Sequence, residues 1–139
     1  VLKTSLEGIG SACADQKISL VREHFQGPWQ VQGGATRLRQ AFDNLLRNAM
    51  EAQPDGGEIR IRAEKDDSRV LVDINDAGPG VSPEQESELF EFGKTTKTSG
   101  SGIGLPLSQL IVEAHGGSLT YQGNGHGATF RLILPLEPS

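Results

Sequence analysis

The chain has 139 residues, a length that fits one domain with a real core, and it carries 18 glycines that cluster rather than scatter. Its net charge of −5 and pI near 5.1 argue against a nucleic-acid footprint. A single cysteine, Cys13, excludes an internal disulfide and fits a reducing compartment, and no apolar run approaches membrane-spanning length.

In chain order, Leu2, Leu6, Ile9 and Cys13 recur at helical spacing, weakened by Gly8 and Gly10. The start, Val1-Leu2-Lys3, is not a signal peptide. A chain that begins without Met and already in helical pattern predicts a piece of something longer. Two short strands are expected over 17–25 and 29–31, parted by Gly27-Pro28. The strongest helix is predicted over 36–52, where Leu38, Ala41, Phe42, Leu45, Leu46, Ala49 and Met50 follow i, i+3, i+4, i+7 spacing. Pro54-Asp55-Gly56-Gly57 ends it. Alternating segments over 58–64 and 69–76 predict a hairpin around the charged turn Lys65-Asp66-Asp67-Ser68.

Residues 76–104 read mostly as loop, with a helical patch over 83–90. A second helix is predicted over 105–115 with Leu107, Leu110, Ile111 and Ala114 on one face, stopped by Gly116-Gly117. Strands over 118–122 and 128–134 close the chain as a hairpin. Helices covering one face of a largely antiparallel sheet predict a single-domain, two-layer α/β sandwich.

Three places carry candidate chemistry. Asn44 and Asn48 lie four apart on the long helix and share a face. A carboxamide oxygen beside the apolar stripe suits magnesium, which needs few protein ligands when phosphate oxygens and waters supply the rest. Arg37, Arg47 and Glu51 fall on the wetter side and read as solvated. In Asp76-Ala77-Gly78-Pro79-Gly80, a carboxylate at a strand end accepts hydrogen bonds only. It suits the exocyclic amine of adenine and opposes the carbonyl of guanine, while Gly78 and Gly80 let backbone approach a base. Either feature alone is also what a wet helix face or a plain turn would show.

In the third place, Lys97-Thr98-Ser99 leads through Gly100-Ser101-Gly102-Ile103-Gly104-Leu105 into the second helix. Alternate glycines before a helix N-terminus expose successive N–H groups to an anion. The pattern is not a dinucleotide fingerprint, because no strand closely precedes it and no acidic residue follows at ribose distance.

With all three in this order, the chain resembles the ATP-binding domain shared by sensor histidine kinases, gyrase, the heat-shock chaperone of the Bergerat fold and a mismatch-repair ATPase. Asn44-Leu45-Leu46-Arg47-Asn48-Ala49 resembles the N box, and Asp76-Ala77-Gly78-Pro79-Gly80 the first glycine box. Leu89-Phe90-Glu91-Phe92 resembles the F box and Gly100-Ser101-Gly102-Ile103-Gly104-Leu105 the second glycine box. Val112-Glu113-Ala114-His115-Gly116-Gly117 and Gly127-Ala128-Thr129-Phe130 extend the likeness over nearly the whole chain. The resemblance implies a Bergerat fold, with a mixed, mostly antiparallel sheet and a mobile ATP lid.

It also implies roles. Asn48 would ligate magnesium, Asp76 would bind the adenine amine, and Gly100, Gly102 and Gly104 would cradle phosphates. Lys97 matches the lid's Thr-Thr-Lys segment, and Thr129 would help hold the Asp76 pocket. ATP and magnesium are the expected ligands.

Hydrolytic members of this superfamily carry a Glu one turn before the magnesium Asn, as the base for water. Here that position is Asn44, whose carboxamide has no useful basicity. Phosphoryl transfer is therefore favoured over hydrolysis, and the wording of the boxes resembles sensor histidine kinases most. Departures include Gly34 in place of a helix-capping Asp, Phe92-Gly93-Lys94 in place of Pro-Phe-Phe, and Glu51 in place of a Lys. None of His24, His115 and His126 sits in the His-(Glu/Asp)-x-x-Pro pattern of a phosphoacceptor. The expected partners are thus a histidine-bearing helical hairpin domain of the parent kinase and a downstream response regulator, with no nucleic acid and no membrane contact by this domain itself. The expected location is cytoplasmic, including the cytosolic end of an anchored sensor. The rival readings are a Bergerat-fold ATPase fragment and a nucleotide-sensing pseudokinase.

Overall fold

The structure is a computed structural model describing residues 17–23, 35–53, 55–66, 68–78, 86, 88–91, 104–123 and 127–135. Its elements are β1 (Ile18–Glu23), α1 (Ala35–Glu51), β2 (Gly57–Lys65), β3 (Arg69–Asp76), α2 (Gly104–Ala114), β4 (Ser118–Gly123) and β5 (Ala128–Pro135). The expected early helix, the strand over 29–31, the lid and half of the patch over 83–90 lie outside the described residues.

The five strands form one sheet in the order β1-β2-β3-β5-β4. Both expected hairpins are present as antiparallel pairs, with Ala63 opposite Val72 and Thr120 opposite Arg131. In the β2–β3 turn, Asp66 Oδ1 accepts the N–H groups of Ser68 at 2.9 Å and Arg69 at 2.8 Å. The Ser68 amide, then the Arg69 amide, hold that carboxyl below its ordinary range. Hydrophobic periodicity alone does not reveal two features of the sheet. β1 runs parallel to β2 along the edge, and β5 inserts between β3 and its own hairpin partner β4. Burial accounts for the second: β5 turns Ala128, Phe130, Leu132 and Leu134 into the core, whereas β4 buries only Leu119.

α1 and α2 pack against each other over one face of the sheet. All seven residues of the predicted α1 stripe are buried. Each large side chain so buried contributes roughly 1.5–3 kcal/mol, against about 1 kcal/mol for a good N-cap. The stripe, not its ends, therefore holds α1 in place; its first turn carries no acidic residue and its last no basic one. Arg37, Arg47 and Glu51 are exposed, as expected.

α2 corrects the sequence reading. Its inward face carries Pro106, Ser108, Ile111 and Val112, while Leu110 is 52% exposed and Ala114 is exposed. Leu105, Leu107, Leu110, Ile111 and Val112 ring the helix almost completely, so spacing alone does not single out a face. At its end, Gly116 takes φ +83° and the Gly117 N–H reaches back to Val112 O at 3.0 Å, the stop the glycine pair predicted.

The opposite face of the sheet is polar. Arg131 forms a two-point ion pair across strands with Asp73, Nε to Oδ1 at 2.9 Å and NH2 to Oδ2 at 3.1 Å. On β2, Arg60 pairs with Glu58 and Arg62 with Glu64.

Candidate functional site

β3 alternates strictly, sending Val70, Val72, Ile74 and then Asp76 towards the helices. A carboxylate thus ends a row of core positions, with 1% of its surface exposed. Removing a carboxylate from water costs several kcal/mol unless it is well hydrogen-bonded. Here Asp76 Oδ1 accepts the Gly78 N–H at 2.9 Å, which bends the chain directly after the strand.

Three chain segments converge on this group. Gly78 lies against the end of α1: a Cβ there would sit 2.8 Å from Ala52 O, 3.0 Å from Ala52 Cβ and 3.0 Å from Asp76 Oδ1. Gly127, leading into β5, has φ +117°, and a Cβ on it would fall 2.0 Å from Asp76 O. Asp76 itself lies between Ile59 of β2 and Ala128 of β5. The site is therefore a seam between the end of α1, the loop after β3 and the start of β5.

Gly127→Ala should narrow that seam. It combines a left-handed backbone with a direct clash against the Asp76 carbonyl, costing about 1–3 kcal/mol. Thermal unfolding should show a midpoint lower by roughly 5 °C or more. An unchanged midpoint would mean that the approach of β5 to Asp76 tolerates a side chain.

Asn48 lies one turn before Ala52, whose N–H bonds Asn48 O at 3.1 Å, and Asn44 lies one turn earlier. Both are half-buried, at the border of the stripe. Gly104 opens α2, and among the described residues nothing lies within 4 Å of where a Cβ on it would be. Leu105 behind it packs on the core. Asn44, Asn48, Asp76, Gly78, Gly104 and Leu105 thus belong to, or adjoin, the two helices and the loop after β3. Gly80, Lys97, Gly100, Ser101, Gly102 and Ile103 lie outside the described residues.

Thr129 does not share the face of Asp76. Register sets Asp76 opposite Ala128 and Asn75 opposite Thr129, and the Thr129 hydroxyl accepts from Asn75 Nδ2 at 2.7 Å on the polar face. The residue beside the carboxylate is Ala128. Alternation inward from the core residue Phe130 already implied this, since 128 and 130 share a face and 129 does not.

Of the F-box segment, Phe90 meets Phe130 edge-on, with centroids 6.3 Å apart and planes at 90°, which ties the chain after the site to β5. His115 Nδ1 lies 2.7 Å from Ile111 O, at the end of α2. Among the described residues, no three or more His, Cys, Asp and Glu side chains cluster to hold a metal, and no helix is long and apolar enough to cross a membrane.

Residues 33–138 match the family described as histidine kinase-, DNA gyrase B-, and HSP90-like ATPases. Sporulation kinase C of Bacillus subtilis is 32% identical over 108 residues, covering 77% of this chain and 25% of that protein. The signal transduction histidine-protein kinase AtoS of Escherichia coli is 42% identical over 103 residues, covering 73% of this chain and 17% of that protein. The chain thus spans a quarter or less of these two relatives. Among solved structures, the catalytic domain of histidine kinase ThkA superposes with a TM-score of 0.87 at 27% identity, covering 96% of this chain and 89% of that one. A mycobacterial sensor histidine kinase, MprB, superposes with a TM-score of 0.83 at 29% identity, covering 99% and 93%.

Proposed function

Because this chain belongs to the family of histidine kinase-, DNA gyrase B-, and HSP90-like ATPases, we propose that it binds magnesium–ATP and acts as the catalytic domain of a protein-histidine kinase, transferring the γ-phosphate to a histidine on a separate dimerisation and acceptor domain. The observation that carries this reading is Asp76, a carboxylate 1% exposed at the end of a core row, with Gly78 and Gly127 cleared of side chains beside it. An acceptor-only group in a tight, backbone-lined seam selects a flat ring that presents an amine, and adenine does so.

The likeness of the sequence boxes supports the other roles. Asn48, one helical turn before Ala52 at the Asp76 seam and half-buried, offers a carboxamide oxygen to magnesium; Asn44 lines the same border. The chemistry of this donor set fits the ion, since magnesium keeps several waters and needs only one or two protein oxygens beside the phosphates. When bound, the ion neutralises charge on the phosphate chain. The N-terminus of α2 at Gly104 and Leu105, together with Gly100, Ser101, Gly102, Ile103 and Lys97, would receive the phosphates, while Gly80, like Gly78, would let backbone approach the base. Thr129 acts at most indirectly, through its bond to Asn75 and the register of β5 against β3.

Asn44 supports transfer over hydrolysis, because a carboxamide does not take a proton from water. The acceptor histidine lies on another domain, and the phosphate would pass onward to a response regulator. A complex of ThkA with a response regulator, TrrA, has been solved, and ThkA in it superposes on this chain with a TM-score of 0.84 at 25% identity. Two-component signalling at the cytoplasmic side of a cell is the setting this reading implies.

Asn48→Ala tests the metal role. Nucleotide affinity should fall about tenfold with magnesium present and change little in excess chelator, measured with a fluorescent ATP analogue. An equal fall in both conditions would remove Asn48 from the metal site.

A further inference from the structure

Gln53 is buried to 4% exposure, among the few polar side chains so enclosed in the described residues, and none of the roles above uses it. It stands where α1 ends. The Ala52 N–H still bonds Asn48 O at 3.1 Å, but the Gln53 N–H turns to Met50 O at 3.0 Å. That tighter closure takes from Ala49 O the amide that a continuing helix would give it. Gln53 Nε2 donates to Ala49 O instead, at 3.2 Å. The other end of the same carboxamide faces β2, where Oε1 accepts the Glu58 N–H at 2.8 Å. Glu58 O then accepts the N–H of Ala77, the residue after Asp76, at 3.3 Å. Gly57 keeps the seat open, since a Cβ there would lie 1.9 Å from Gln53 Oε1.

Resting on the nucleotide reading above, we infer that Gln53 is a positioning residue that sets the distance between the helix turn bearing Asn48 and the strand end bearing Asp76, so that one nucleotide meets both. Its carboxamide has a donor end and an acceptor end, and the two groups it joins are a carbonyl and an amide. A Met of similar length takes the Gln53 bond from both the buried Ala49 carbonyl and the part-buried Glu58 amide. A Glu keeps the bond to the Glu58 amide but sets a carboxylate against Ala49 O. Either change lets the two halves of the site drift, and displacement on the order of 1 Å is enough to weaken a two-point contact.

The test compares magnesium–ATP-analogue affinity in the unaltered chain, Gln53→Met, Gln53→Glu and Leu134→Val, each well below its melting temperature. Leu134 is fully buried opposite Val70, at the far end of β5 from Asp76, so its variant loses stability without touching the site. The Met variant should bind about tenfold more weakly and the Glu variant several-fold more weakly, with Leu134→Val unchanged. The Glu variant decides the matter if the Met variant does not fold. Unaltered affinity in a folded Gln53 variant overturns the inference. Equal weakening in Leu134→Val also overturns it, because Gln53 would then act only through overall stability. An unaltered chain that binds no nucleotide fails the underlying reading, and the inference with it, in the first titration.

Discussion

Asp76→Asn should abolish most ATP affinity and leave the fold standing. The asparagine Oδ1 can still accept the Gly78 N–H that Asp76 Oδ1 accepts at 2.9 Å, so the bend after β3 survives. Its other terminal atom becomes an NH2 aimed where the second carboxylate oxygen was. An adenine amine then meets a donor instead of an acceptor. Losing a charge-assisted hydrogen bond costs about 1.5–3 kcal/mol, and opposing two donors in a buried seam adds to it, so affinity should fall about a hundredfold or more. Titration with a fluorescent ATP analogue measures the loss, and a thermal melt within a few degrees of the unaltered chain shows that the fold is kept. Affinity within a few-fold of the unaltered chain, in a folded variant, would take Asp76 out of the site.

The second large effect concerns the reaction. With magnesium–ATP alone, the chain should bind nucleotide yet neither hydrolyse it above background nor label itself. Asn44 provides no base for water, and none of the three histidines has the sequence context of an acceptor. Adding the histidine-bearing helical hairpin of the parent protein, in cis or as a second chain, should give phosphohistidine on the hairpin, labile to acid and stable to base. The imidazole nitrogen forms a bond to the γ-phosphorus as the bond from that phosphorus to the bridging oxygen breaks, leaving ADP. Such a transfer depends on in-line placement of its acceptor, which nucleotide binding alone does not supply. The contrast is between no detectable labelling and a stoichiometric fraction of the hairpin. Rapid hydrolysis by the isolated chain would favour the ATPase reading, and binding without transfer even beside the hairpin would favour a nucleotide sensor.

What the sequence made legible follows from how strongly each stretch constrains its own neighbours. The α1 stripe and the β2–β3 alternation are periodic over several turns or residues, so the helix, the hairpin and the place of Asp76 at a strand end could all be read directly. α2 was legible as a helix but not as a face, because an apolar ring leaves rotation to tertiary contacts; Leu110 points outward for that reason. Strand order was out of reach, since whether β5 lies inside or outside β4 depends on which of the two can fill core positions across β3. Thr129 shows a subtler limit. The motif around it was recognisable, but its side of the sheet depended on a one-residue count, and a one-residue shift reverses the face. Gln53 had no sequence signal: its two bonds join a carbonyl and an amide that only the folded backbone brings within reach of one side chain.

The interior place of β5 bears on how the protein comes into being. Asn75 and Ala128, joined at the seam, are 53 positions apart in the chain, and the strand that closes the seam is the last element described. As the chain leaves the ribosome, α1 and the β2–β3 hairpin are available early, yet β3 keeps an unpaired edge and Asp76 lacks a wall until residues near 128 emerge. Pairing across so long an intervening segment is entropically slow compared with closing a hairpin. A nascent chain that has not yet released β5 therefore exposes a hydrophobic strand edge and holds no completed seam, so on the reading proposed above the nucleotide pocket is completed only once β5 has emerged.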